Sequence, residues 1–167
     1  LIPGRHNTIV AQTPQGILKL STQGSNSQFT GINVIVRKEN EYKTINIHKM
    51  NSEKEYLLGK YDLEMLTLPR IYFEDVEIKQ SKTTEITIPL YGSVQISKGN
   101  GPASLFLKDK GQNIWLYDFD NFRYIENLNL QPGKYMISFR HSRSNSMAHT
   151  IIKEFKISSG QNLNLNL

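Results

Sequence analysis

Five aromatic residues stand close together in the second half of the chain: Trp115, Tyr117, Phe119, Phe122 and Tyr124. Trp115, Tyr117 and Phe119 alternate, so on a strand they share one face. A flat aromatic row on a β-sandwich is what carbohydrate-binding modules use to stack against sugar rings. The same spacing also suits a core, because a small sandwich needs large side chains inward. An internal repeat bears on the choice. It sets Trp115 on Ile45 and Tyr117 on Ile47, which favours the core for these two and leaves Phe119, set on Lys49, as the member expected to be exposed.

Other chemistries lack their parts. His6, His48, His141 and His149 are scattered, with no spacing that gathers metal ligands, and there is no Cys to complete a zinc site, form a disulfide or act as a nucleophile. They read as lone, exposed histidines. Asp118, Asp120 and Asn121 offer oxygen ligands for calcium, but the Gly and the distant Glu of an EF-hand loop are missing, so a solvated hairpin turn is expected. No nucleophile elbow, phosphate loop or dinucleotide fingerprint occurs. No catalytic residue, metal site or cofactor is assigned, and the chain is not expected to be an enzyme.

The elements that must position these residues read as strands almost throughout. Period-two alternation runs through 32–36, 44–48 and 61–65, and most cleanly through Leu163, Asn164, Leu165, Asn166 and Leu167. Turn signals intervene at Gly24, Asn40, Gly99 to Pro102, Gly111 and Pro132-Gly133. The chain also repeats itself. Gly16-Ile17-Leu18 returns as Gly92-Ser93-Val94, Gly59-Lys60-Tyr61 as Gly133-Lys134-Tyr135, and the segment around Ile78 as that around Ile157. The three blocks keep their order at an offset of about 75 positions, which signals one supersecondary plan used twice. A Gly at the start of the repeated strand permits a tight turn, and the Tyr after it can lay its ring over the sandwich while its hydroxyl reaches a backbone group. The expected fold is all-β, two tandem Greek-key sandwiches at 14–90 and 91–167, with residues 1–13 as the terminal strand of a preceding repeat or a linker.

Charge narrows the partners. Twenty Lys and Arg against fifteen Asp and Glu give a net charge of +5, but acids stand near most of the basic residues, and no run or face of the kind that holds nucleic acid emerges. No stretch approaches the ~18 apolar residues of a membrane-spanning helix.

A strand ending in Leu, then Leu130-Gln131-Pro132-Gly133-Lys134-Tyr135 or Leu57-Leu58-Gly59-Lys60-Tyr61, then an alternating strand and a closing Thr-rich one, resembles the prealbumin-like sandwich of collagen-adhesin B-type and carboxypeptidase regulatory-like domains. The run from Gly59 to Arg70 is similar to tandem β-modules that follow a von Willebrand factor type A domain in bacterial cell-envelope proteins. The resemblance implies a non-catalytic structural or protein-interaction module. It would form the C-terminal part of a larger extracytoplasmic bacterial protein, in the periplasm or at the cell surface, with a protein partner or the upstream part of its own chain as ligand. The alternative is a glycan-binding module that uses the second copy's aromatics. Such domains can carry a Lys–Asn isopeptide crosslink between first and last strands. Lys19 and Asn162, Asn164 or Asn166 supply the residue types, but 83–88 holds no Asn or Asp and the second copy has Gln95 where the Lys would stand, so no crosslink is expected.

Overall fold

The computed structural model describes residues 13–24, 31–144 and 146–167. The N-terminal segment expected to be an orphaned strand lies, up to residue 12, outside the described residues.

Among the described residues fourteen strands follow one another: β1 (Gln15–Thr22), β2 (Asn33–Lys38), β3 (Thr44–Lys49), β4 (Ser52–Leu57), β5 (Gly59–Met65), β6 (Ile71–Ile78) and β7 (Thr83–Ile88), then β8 (Gly92–Ser97), β9 (Ala103–Asp109), β10 (Gln112–Asp118), β11 (Ile125–Leu130), β12 (Gly133–Phe139), β13 (Ile151–Ile157) and β14 (Asn162–Asn166). One 3-10 turn, Met147–His149, interrupts them. The first seven form sheets of order β4-β1-β7 and β3-β2-β5-β6, and the second seven repeat this as β11-β8-β14 and β10-β9-β12-β13. Within each half the first strand pairs antiparallel with the fourth and parallel with the last. The fold is thus all-β, two Greek-key sandwiches in tandem, each closed by apolar residues of alternating parity.

Each sandwich has its own core. Leu18, Leu20, Val34, Val36, Leu63 and Met65 anchor the first; Val94, Ile96, Leu105, Tyr135, Ile137 and Ile157 anchor the second. Gly16 and Gly92 open the two copies for the same steric reason. A Cβ on Gly16 would stand 2.2 Å from the Lys79 carbonyl oxygen, and one on Gly92 would meet Ile157 Cγ2 at 2.6 Å and the Gln161 carbonyl at 2.8 Å. The chain that enters the last strand of each copy therefore lies directly against the first strand, and only glycine leaves room.

The repeated tyrosines do the same work twice. Tyr61 and Tyr135 are buried, and each hydroxyl donates to the carbonyl four residues back, Leu57 at 2.7 Å and Gln131 at 2.6 Å. This ties the turn to the strand and satisfies a phenol that would otherwise be costly to bury. Of the two glycines ahead of them, Gly59 takes a positive φ, +144°, while Gly133 does not.

The two halves meet over a short connection, Pro89 to Tyr91. Leu68, in the loop after β5, packs against the second core rather than the first, and its carbonyl accepts the Gln131 backbone N–H at 2.8 Å.

Candidate functional site

The aromatic row does not survive as a row. The pairing of β10 with β9 shifts register between Trp115 and Tyr117, so that Trp115 stands opposite Phe106 and Tyr117 opposite the buried Leu105. A bulge of this kind inserts one residue and reverses the parity of the residues beyond it. Trp115 is turned outward and is 57% exposed, while Phe119 is 4% exposed. Both expectations are therefore corrected: Trp115 is not core, and Phe119 is not the exposed member. Tyr117 is half-buried and meets Phe119 edge to face at 5.2 Å between ring centroids. Phe122 and Tyr124 are exposed in the loop leading to β11. That loop is held by its backbone, since the Asn121 and Tyr124 carbonyls accept the Gly101 and Lys98 N–H groups at 3.0 and 2.8 Å.

The repeat holds as a plan, but not in the register read from the sequence: with Tyr61 and Tyr135 equivalent, the strand pairings set Trp115 on Thr44, Tyr117 on Asn46 and Phe119 on the buried His48, one position from the expected match. Ile45 and Ile47 are exposed as well. β3 and β10 are equivalent edge strands, each with a register shift against its neighbour, and an edge strand need not bury a whole face.

Trp115 instead forms one wall of a groove of about 670 Å³ between the two halves. The first module lines it with the loop Leu66 to Arg70 and Tyr72 of β6, and the second with Leu107 of β9 and Ile114 and Leu116 of β10. Tyr72 is 62% exposed. The volume lies in the range of small-ligand sites. The indole is not free to turn, because its Nε1–H donates to Asp118 Oδ1 at 2.9 Å and the same carboxylate oxygen accepts the Ser104 hydroxyl at 2.6 Å. These two bonds, Ser104 first, hold the Asp118 carboxyl below the usual carboxylate range.

At the Tyr72 end a charged group is built on the outer face of the first sandwich. Glu64, buried in β5, accepts from Arg37 at 2.8 Å and from Arg70. The Arg37 hydrogen bond, aided by Arg70, holds its carboxyl below the ordinary range against the opposing effect of burial. Two guanidiniums share one carboxylate, which leaves a positive excess beside the groove.

The remaining candidates separate. His48 is buried, contrary to the exposed reading: its Nε2 faces the Ser52 carbonyl at 3.3 Å, and Nδ1 meets the Tyr56 hydroxyl at 3.2 Å, which itself accepts from Asn46 at 2.7 Å. Burial lowers its pKa, which favours the neutral ring in this packed, hydrogen-bonded position. His141 and His149 are exposed, and His6 lies outside the described residues. Asp120 accepts the Phe122 N–H at 2.9 Å, as a turn would. Among the described residues no group of three or more His, Asp or Glu side chains gathers to hold a metal ion. Lys19 pairs with Glu85 across β1 and β7 at 3.1 Å.

Sequence reading does not find Tyr72 and Arg70 as groove residues. The available signal is parity: Tyr72 stands between Ile71 and Phe73, which pack on the first core, so it points outward. Its proximity to Trp115 is tertiary and leaves no trace in the chain.

Trp115→Ala is accordingly expected to shift stability by no more than about 1 kcal/mol, the range of exposed substitutions. In the native protein its emission, from the sole tryptophan, should be red-shifted and readily quenched by acrylamide. A blue-shifted emission that resists quenching would return Trp115 to the core.

No protein-family model matches the chain, and no curated protein matches it. Among solved structures the chain is similar to the Bacillus anthracis TIE protein, at 14% identity and a TM-score of 0.37 over 92% of this chain and 33% of that one. It is similar to GBS52, the minor pilin of the Gram-positive pathogen Streptococcus agalactiae, at 8% identity and a TM-score of 0.42, over 92% of this chain and 94% of that one. It is also similar to the pilus adhesin SpaC from Lactobacillus rhamnosus GG, at 7% identity and a TM-score of 0.28, over 87% of this chain and 26% of that one. The chain thus spans about a third of the TIE protein and about a quarter of SpaC.

Proposed function

We propose that the chain is a non-catalytic, two-module structural and protein-interaction segment, with modules at 14–90 and 91–167, that serves as part of a larger extracytoplasmic bacterial protein. The observation that carries this reading is the shared junction. Leu68 leaves its own module to pack in the core of the next, and its carbonyl takes the Gln131 N–H. Modules joined only by a linker tumble independently, whereas a side chain and a backbone bond exchanged across the joint fix the angle between them. A fixed angle suits a spacer that must hold a surface at a set position. The prealbumin-like and von Willebrand factor type A associated affinities read from the motifs 59–70 and 130–135 fit the same role. Among the described residues no helix is long and apolar enough to cross a membrane.

The test is nuclear spin relaxation on the whole chain. One common tumbling time for both modules is expected, and Leu68→Ser should split it into two. Two independent tumbling times in the unmodified protein would refute the rigid spacer. A glycan-binding reading keeps one specific support, the exposed Trp115 ring, held by Asp118 and lining the same groove as Tyr72.

A further inference from the structure

We propose that the groove between the modules captures an extended peptide segment, which adds to the free edge of β10 and carries an acidic side chain toward Arg70. The inference deepens the protein-interaction reading above and rests on it.

Three features converge in one place. First, β10 ends its sheet in the order β10-β9-β12-β13, so one of its backbone edges has no strand partner among the described residues. Open edges accept further strands, and proteins that do not use them commonly block them with proline, an inward charge or a covering loop. β10 carries no proline or lysine over Gln112–Asp118. Its bulge twists the strand but also turns Trp115 outward, where it walls the groove. Second, Ile114, Trp115 and Leu116 of this edge strand line the groove together with Tyr72, so a strand added to β10 would bring its own side chains against them. Side chains of an added strand alternate in direction, and a peptide with apolar residues at every second position would present them to these walls. Third, the charge is asymmetric. Arg70 is half-exposed and shares Glu64 with Arg37, leaving a cation that an incoming acidic group can neutralise.

A saccharide fits less well. Stacking would use Trp115 and Tyr72, but it would leave the backbone donors and acceptors of β10 unused, and the groove offers a sugar's hydroxyls few polar side chains besides Arg70 and Thr67.

The experiment selects from a randomised heptapeptide library displayed on phage, with the whole chain as bait and the double variant Tyr72→Ala, Trp115→Ala as counter-bait. Both positions are exposed, so the double variant should keep the fold, and its amide spectrum checks this. Enriched clones should alternate apolar and polar residues and carry an Asp or Glu. The synthetic peptides should blue-shift the Trp115 emission and slow amide exchange over 112–118. Binding should weaken at least tenfold in the double variant and in Arg70→Gln, and also when alternate peptide nitrogens are methylated. The proposal is overturned if no clone is enriched over the counter-bait, or if binding survives N-methylation. It is equally overturned if a β-1,4-linked glucan tetramer reproduces the emission shift while the peptides do not, or if β10 is protected by dimerisation of the chain. Each of these failures leaves the rigid-spacer reading intact, because that stands on the relaxation measurement.

Discussion

Replacing Tyr135 by alanine is expected to unfold most of the second module. The side chain is fully buried, stacks on Phe155 at 5.5 Å between centroids, and donates its hydroxyl to the Gln131 carbonyl at 2.6 Å. Removing a buried aromatic ring costs about 3–5 kcal/mol. A module of some 75 residues is stable by roughly 4–11 kcal/mol in total, so the substitution consumes much of the margin. The thermal midpoint of the second module should fall by at least about 12 °C, while the amide signals of β1 to β7 persist. Tyr135→Phe isolates the hydroxyl: losing that bond and leaving a buried carbonyl unmet should cost about 1–3 kcal/mol. A fall of only a few degrees for the alanine variant would show that the ring is not a core element. Burial raises the phenol's pKa above its ordinary value, in keeping with a hydroxyl that keeps its proton in the folded state.

The second large effect belongs to Lys98. This lysine is buried just past β8, where its ammonium donates to the Asp120 carbonyl at 2.7 Å and approaches the Gly101 carbonyl at 3.4 Å. It thereby pins the loop between β10 and β11 to the loop between β8 and β9. Glu126 is buried nearby: its Oε1 has no hydrogen-bond partner among the described residues, and its Oε2 lies 3.8 Å from the exposed Arg123. Lys98→Met removes the cation and the donor together, leaving the Gly101 carbonyl unmet, the Asp120 carbonyl with only the Arg123 N–H at 3.4 Å and the buried Glu126 with only that distant guanidinium, at a cost of about 1–3 kcal/mol. Adding Glu126→Gln should recover part of the loss, because the poorly compensated charge is then gone. If the double variant is no more stable than the single one, the carboxylate is not what makes the lysine necessary.

The pH dependence has a definite sign. Desolvation lowers the pKa of Lys98 below its ordinary value, with Glu126 and Asp120 opposing. As pH rises toward the unfolded value, the folded chain releases this proton before the unfolded chain does, so stability should climb across that window. Urea titrations spanning the approach to the ordinary lysine range should show the wild-type curve rising relative to that of Lys98→Met. A flat difference would mean that the lysine titrates alike in both states.

Much of the fold is legible in the chain. The Gly-Lys-Tyr blocks, the glycines at 16 and 92 and the offset between copies are local or pairwise signals. Each reports a constraint at its own position: a tight approach, a capped hydroxyl, or a strand of given parity. Their order carries the two-sandwich topology, because short connections and one closing parallel pair leave few ways to bury alternating faces. The aromatic cluster departs from expectation at Trp115 and Phe119 for one physical reason. Parity predicts a face only while the ladder is regular, and a single bulged residue between Trp115 and Tyr117 exchanges the faces without altering composition. His48 departs for a related reason, since exposure depends on which sheet covers the strand.

The class of fold, its use twice in one chain and the alternating apolar positions of the regular strands are written in local patterning. The place where the two modules touch, and the surface that this contact leaves open, emerge only in three dimensions. Trp115 and Tyr72 lie in different modules, in strands that never pair, yet they line one groove beside Leu68, which packs across the joint. Strand pairing comes from patterns that every strand carries in its own residues. A groove between modules depends on the fit of two finished surfaces, and no single segment encodes that fit.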